Sequence, residues 1–359
     1  MITLSDDATS VLTRSWTYQV RVQSWLGDQL LSDDVPVIDG GEEVDRSLRV
    51  PERVTLTVPR TDQGVSWDPV EADHPIAAFG QRLTVTLGIG VGAGVTEWLQ
   101  RGEFLVTASR PSGDTVQVEA AGLLTLIDEA RLVSPYQPSG TLASTIRGLV
   151  EPALTVDVSE SLTDRDVPDG MNIDEDRLGA VLELLDAWPA DASVSQDGFL
   201  SVVPAADSST SVLALTDGTG GTVLKWEGES ARSGACTCVV ARGTDAFGGQ
   251  VQGVAYDLSG ISPLRYGGPF NPLPVPHVFE SPLLASTSQC QAAASTVLDR
   301  LRRSTGCRIS AEIVPHPGLQ VGDCVTVTGR GLTNHPCIVE ALSLPYVPGS
   351  QTLTLRVVA

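Results

Sequence analysis

Lysine is nearly absent. The 359 residues hold 23 basic side chains against 44 acidic ones, and Lys225 is the single lysine. A phosphate-cradling P-loop needs a Gly-Lys pair, whereas Lys225 follows Leu224, so nucleotide hydrolysis of that type is excluded. A net charge of −21 argues against nucleic-acid binding through phosphate neutralisation, which needs a clustered basic surface. The same charge suits a surface that repels a passing duplex and leaves it unbound. The N-terminal stretch MITLSDDATS has neither a basic start nor an apolar run, so it does not read as a secretory signal. Its 35 Gly and 23 Pro follow no regular period, which excludes collagen, and 42% hydrophobic residues exclude a wholly disordered chain. Cysteine is missing before position 236. The six that follow, Cys236, Cys238, Cys290, Cys307, Cys324 and Cys337, read as reduced thiols packed as small apolar groups.

What is present suggests two or three domains. The acids are unevenly spread: residues 1–80 carry 14 acids and 6 bases, 81–135 carry 6 and 4, 136–226 carry 15 and 4, and 227–359 carry 9 and 9. The last third is therefore neutral, and residues 1–226 hold the whole excess. In the opening third, Trp16, Tyr18, Val20, Val22 and Leu26 form an apolar strand face broken by polar residues. Further strands are predicted at 53–58, 82–89, 103–109 and 115–121, with turns at Gly40-Gly41, over 88–94 and at Pro111-Ser112-Gly113-Asp114. The middle turns mixed. Leu142, Ile146, Leu149 and Val150 recur at helical spacing, a helix is predicted over 174–188 with Asp174, Glu175 and Asp176 at its positive end, and a hairpin surrounds Asp197-Gly198. The last third reads as β again, with strands at 235–241, 250–256, 307–314, 323–328, 337–342 and 352–358. One helix is inserted, with Ser286 as N-cap and Gln289 as its capping-box partner. A Pro- and Gly-rich arm over 262–282 precedes it. The long uncharged stretch 281–298 is polar enough to belong to that helix and not to a membrane span. The expected fold class is mainly β with an α+β insertion, divided as 1–135, 136–226 and 227–359.

Gly88-Ile89-Gly90-Val91-Gly92-Ala93 fits a loose dinucleotide pattern, but the following residues do not make the helix that would receive a pyrophosphate, so a hairpin loop is predicted. His74, His277, His316 and His335 are scattered and each adjoins a proline, which points to surface loops. Cys236 and Cys238 share a strand face and, with Cys324, Cys337 or His335, supply zinc-type ligands without the usual knuckle spacing. Asp164, Asp166 and Asp169-Gly170 resemble a calcium loop whose third ligand comes one residue late. Trp16, Trp25, Trp67, Trp98, Trp188 and Trp226 are spread thinly and read mostly as core. No catalytic, cofactor-binding or metal-binding residue is assigned.

The stretch PHPGLQVGDCVTVTG, residues 315–329, resembles the C-terminal β-domain signature of phage tail hub proteins, the baseplate hubs that cap a tail tube. The resemblance gains from order: Gly267-Gly268-Pro269-Phe270, Pro282-Leu283-Leu284, the helix over 287–303, Pro315-His316-Pro317, then Gly322-Asp323. It is clearest over 235–359. The segment Arg14-Ser15-Trp16-Thr17-Tyr18 and the β-rich first third are similar to minor tail proteins of long-tailed phages, or siphophages. The resemblance implies a non-enzymatic homotrimeric ring, each subunit with two tube-like barrel or sandwich β-domains separated by a small mixed α/β segment. Three such chains offer six near-equivalent docking surfaces to a sixfold tube, and adapt it to a threefold tip. No repeat between 1–135 and 227–359 is visible. The implied partners are further copies of the chain, the tail tube protein, the distal tail protein, the tape-measure protein, and tip or receptor-binding proteins, with no sequence-specific nucleic acid. The implied location is the virion tail tip after assembly in the bacterial cytoplasm, with an acidic channel for DNA. The alternatives are a tail-associated cell-wall hydrolase, which needs two carboxylates in a cleft, and a carbohydrate-binding β-module, which needs exposed tryptophans along one face.

Overall fold

The computed structural model describes all residues except 13–15, 17, 169, 232–234, 246, 261, 305 and 359. The chain forms two compact units, each built from separated stretches. The first takes Met1–Leu123, Asp207–Gly228 and Ile309–Val358, and the second takes Leu124–Ala206 and Glu229–Arg308. These units are cut differently from the consecutive stretches 1–135, 136–226 and 227–359. The strand Ser211–Thr216 and most of Val223–Ala231, up to Gly228, join the first unit, and the helix Thr287–Ser304 joins the second.

Strands dominate the chain, and the first unit is organised by one 13-stranded sheet. Its N-terminal group runs Gln29–Ser32, Tyr18–Leu26, Gln81–Gly92, Val95–Ser112, Thr115–Gly122, Glu52–Pro59, Asp39–Asp45, each antiparallel to the next. Asp39–Asp45 then pairs with Leu332–Pro345, Val44 opposite Leu342, and opens a C-terminal group that continues through Gln351–Val357, Gly306–Ile313 and Val223–Ala231. Cys324–Gly329 pairs with Leu332–Pro345 as well, and Ser211–Thr216 lies parallel beside it. Period-two patterning places the strands. In Glu52–Pro59, Val54, Leu56 and Val58 are buried while Arg53 and Thr55 are exposed. Both groups feed one core, where Leu56, Val85, Val106 and Val118 cluster with Val325, Val339, Leu353 and Leu355. Each such side chain contributes about 1.5–3 kcal/mol on burial.

Two turn expectations are corrected. Gly40-Gly41 lies inside the strand Asp39–Asp45, because a Cβ at Gly41 would stand 2.9 Å from the Leu344 carbonyl oxygen and only glycine admits that approach. Gly88 and Gly90 belong to the strand Gln81–Gly92, so the turn is confined to Gly92-Ala93-Gly94. The arm contains a strand, Pro276–Glu280, at the edge of its sheet, where proline's missing donor costs no ladder bond.

The second unit holds the helices Thr125–Glu129, Leu142–Val150, Arg177–Ala187 and Thr287–Ser304 with two three-stranded sheets. Asp176 caps Arg177–Ala187, its Oδ1 accepting the Gly179 N–H at 3.0 Å. Ser286 Oγ accepts the Gln289 N–H at 3.3 Å, and Gln289 Oε1 reaches back to the Ala285 N–H at 2.7 Å, one residue beyond the predicted partner. That helix lies directly on the sheet Gln250–Tyr256, Cys238–Thr244, Pro276–Glu280, because Gly253 leaves the Gln291 backbone room. Arg300 bonds Asp186 and Asp191 and so ties the helix to its neighbours. No helix among the described residues is long and apolar enough to cross a membrane.

Candidate functional site

The polar centre of the first unit lies where its two strand groups meet. Glu42, on Asp39–Asp45, is 2% exposed. Burying a carboxylate is costly unless it is paired and hydrogen-bonded. Arg101, from Val95–Ser112, meets that need with Nε donating to Glu42 Oε1 at 2.9 Å and Nη2 to the same oxygen. Tyr346 Oη donates to Glu42 Oε2 at 3.1 Å. The remaining nitrogen, Arg101 Nη1, donates to the carbonyl oxygens of Pro317 and, at 3.3 Å, Leu319. A single guanidinium thus joins the N-terminal strand group to the PHPGL loop that carries the sequence resemblance.

Electrostatics follow from this burial. Burial opposes the Arg101 charge, but Glu42 outweighs it and holds the guanidinium protonated. Burial, then Glu42, push the Tyr18 and Tyr346 hydroxyls far up, so both stay neutral donors. Tyr18 donates to the Pro345 carbonyl. Glu52 is pushed up to about 7, first by burial and further by Glu42. A second network borders the same joint. Arg356 Nε donates to Glu340 Oε1 at 2.6 Å and Nη2 to Asp207 Oδ2 at 2.7 Å, with Glu340 1% exposed. None of these groups was singled out in the sequence as a site, and only the Pro315–Asp323 motif pointed there.

The other candidates disperse. Gly88–Ala93 forms part of the hairpin between Gln81–Gly92 and Val95–Ser112, and a Cβ at Gly88 would lie 2.7 Å from Thr96 Cγ2 and 3.0 Å from Trp98. His316 is a correction to the surface-loop expectation: it is 9% exposed, because its loop is tucked against Arg101 and the Gln351 side chain. Cys236 precedes the strand that starts at Cys238, so the two do not share a strand face. Cys236, Cys238, Cys290, Cys324 and Cys337 are free and buried, while the Cys307 side chain lies outside the described residues. Asp164 Oδ1 accepts the Ala143 N–H at 3.2 Å and the Arg165 N–H at 2.9 Å, and Asp169 lies outside the described residues, as do Arg14, Ser15 and Thr17 of the first-third motif. No cluster of three His, Cys, Asp or Glu placed to hold a metal occurs among the described residues.

Two open cavities lie in the first unit. One, of 340 Å³, is bordered by Glu43, Asp45 and Arg53. Asp45 Oδ1 is already engaged by the Ser47 N–H and Oγ. The other, of 460 Å³, is bordered by Tyr18, Arg21, Asp34 and Trp98. Trp98 is 40% exposed with the Arg21 guanidinium 4.8 Å from its ring centre, while Trp67 and Trp188 are buried and the other three half-buried. One exposed indole does not line a face.

The fold is that of phage tail proteins. The chain is similar to a tail protein from Neisseria meningitidis MC58, with TM-score 0.64 and 14% identity over 94% of this chain and 96% of that one. It is similar to the 43 kDa tail protein of prophage MuSo2 from Shewanella oneidensis, with TM-score 0.60 and 12% identity over 94% and 98%. It is also similar to the prophage tail protein gp18 from Listeria monocytogenes EGD-e, with TM-score 0.54 and 12% identity over 93% and 94%. These neighbours are tail components by name, consistent with the hub resemblance seen in the sequence. No protein-family model matches the sequence, and no curated protein matches it.

Proposed function

We propose that the chain is a structural tail hub: three copies form a ring at the distal tip of the tail tube and adapt its sixfold symmetry to a threefold tip. The observation that carries this reading is the sheet of the first unit. Its N-terminal and C-terminal strand groups join edge to edge through Asp39–Asp45 and Leu332–Pro345. Each group serves as one tube-like module, and the second unit is inserted into the chain in two stretches, Leu124–Ala206 after the N-terminal group and Glu229–Arg308 within the C-terminal one. Three chains then present six docking surfaces to a hexameric ring.

In this role the chain has no catalytic chemistry. Its partners are two further copies, the tail tube protein, the distal tail protein, the tape-measure protein and tip or receptor-binding proteins. It resides at the tail tip of the virion, after assembly in the host cytoplasm. Exposed carboxylates of residues 1–226, among them Asp28, Asp33, Asp34, Asp39 and Glu43, line a channel that lets DNA pass unbound.

Light scattering on the purified chain, alone and mixed with the tube protein, tests the ring through a trimer mass in one of the two conditions. A strictly monomeric chain that releases sugar or peptide from host cell wall sinks it in favour of the hydrolase. Imaging of assembled tails tests the channel separately, since a neutral or basic inner wall refutes that part alone.

A further inference from the structure

The loop from Pro315 to Asp323 is held by ties from four directions. Arg101 Nη1 donates to the Pro317 and Leu319 carbonyls, the Ile2 N–H donates to the Gly318 carbonyl at 2.8 Å, Gly322 N–H donates to the Val339 carbonyl at 2.7 Å, and Gln351 Oε1 accepts the His316 N–H at 2.7 Å. The Met1 amine and the Gln320 N–H both donate to the Asp323 carboxylate, which is itself 8% exposed. Through Ile2 and Met1 the loop anchors an N-terminal strap, whose helix Asp6–Leu12 packs Ala8 and Leu12 against Ile89.

His316 sits inside this arrangement with an unusual deficit. Its Nδ1 is buried and has no hydrogen-bond partner, and neither has Nε2 of Gln351, the residue that holds the His316 backbone. The charged groups that face the ring are the Arg101 guanidinium, already satisfied by Glu42 and the loop carbonyls, and the Asp323 carboxylate, already engaged by Met1 and Gln320. A proton added at Nδ1 would create a second buried cation near Arg101 and a new donor next to a residue whose own amide donor is unpartnered.

We propose that the Pro315–Asp323 loop is an acid-released latch: protonation of His316 detaches the loop from Arg101 and Gln351 and frees the N-terminal strap, while the sheet beneath stays folded. The proposal does not depend on the hub reading. Burial, more than any other influence, lowers the His316 imidazole from its ordinary value; a backbone hydrogen bond and Asp323 oppose this, and Arg101 adds to it. The latch is therefore closed at and above neutral pH, and it loosens as pH falls below the ordinary imidazole value of about 6.5.

Hydrogen exchange on the full-length protein between pH 7.5 and 4.5, corrected for intrinsic exchange, tests this. The expected result is a loss of protection of up to about tenfold for each unit of pH between about 6.5 and the lowered His316 titration of the closed loop, levelling off below it, read at the Leu319 and Gly322 amides, with Phe104–Val106 unchanged. His316→Gln should flatten that profile. In the unmodified protein, the ¹³C resonances of the His316 imidazole should titrate together with the loop. A loop that loses protection together with Phe104–Val106, an unchanged profile in H316Q, or a His316 titration that leaves loop exchange unmoved would overturn the proposal.

Discussion

Glu42 and Arg101 are 59 positions apart in the chain, yet they face each other in the core with side chains 2% and 4% exposed. Arg101 also holds the loop that precedes Cys324–Gly329, so one ion pair connects the early strands to the late ones. Removing one member of such a buried pair strands the other. Arg101→Met should cost about 3–5 kcal/mol in urea-induced unfolding, and adding Glu42→Leu should recover a large part of that. If the single and double variants are equally unstable, the pair is not what joins the strand groups.

Glu52 sets a pH dependence of opposite sign to that of the usual acid. Its folded value of about 7 lies above the ordinary 4.5, so the neutral form is the one the fold accepts. The associated stability is fully present below pH 4.5 and is lost as pH rises through 7. The loss amounts to roughly 2–3 kcal/mol. Unfolding midpoints of Glu52→Gln should therefore exceed those of the unmodified chain at pH 8 and match them near pH 4.5. A constant offset across that range would remove Glu52 as the cause.

Gly41 is required by the contact at the joint. Its missing Cβ faces backbone, the Leu344 carbonyl at 2.9 Å and Pro345 Cα at 3.3 Å, neither of which can rotate away. Gly41→Ala should destabilise by about 1–3 kcal/mol in chemical denaturation through overpacking. Gly260→Ala meets nothing within 4 Å and should stay within about 0.5 kcal/mol of the parent.

The cysteines give a test of both units at once. Cys236, Cys238, Cys290, Cys324 and Cys337 are buried, and burial pushes the first four thiols up. Alkylation by iodoacetamide in native buffer at pH 7.5 should leave these five unmodified by mass spectrometry, and denaturant should open them together within each unit. Modification of Cys236 or Cys238 in the folded protein would show that the second unit is looser than its packing indicates.

Much of this fold is legible in the residue pattern. Glu52–Pro59, Gln81–Gly92 and Thr115–Gly122 announce themselves by alternation, and the helix Thr287–Ser304 by Ser286 and its apolar stripe. The strand that joins the two groups does not. Asp39–Asp45 reads DGGEEVD, with two glycines, four acids and Val44 as its one apolar residue, and it is a strand because Glu52–Pro59 and Leu332–Pro345 flank it. Tertiary pairing overrides propensity there. Glu42 and Arg101 were hidden for a related reason. Among 44 acids and 23 bases no spacing marks the two that the fold buries together. The interleaved division of the chain was equally invisible, since Ser211–Thr216 and Val223–Ala231 find their partners beyond residue 305.

Because the strand Asp39–Asp45 has its second neighbour nearly three hundred residues downstream, a ribosome must synthesise all of the intervening chain before that edge can be covered. The nascent N-terminal strands wait with one ladder of amides and carbonyls unpaired, a standing invitation to aggregate or to pair with another emerging chain. The acids of DGGEEVD charge that waiting edge, and like-charged neighbours repel one another until the C-terminal strands arrive.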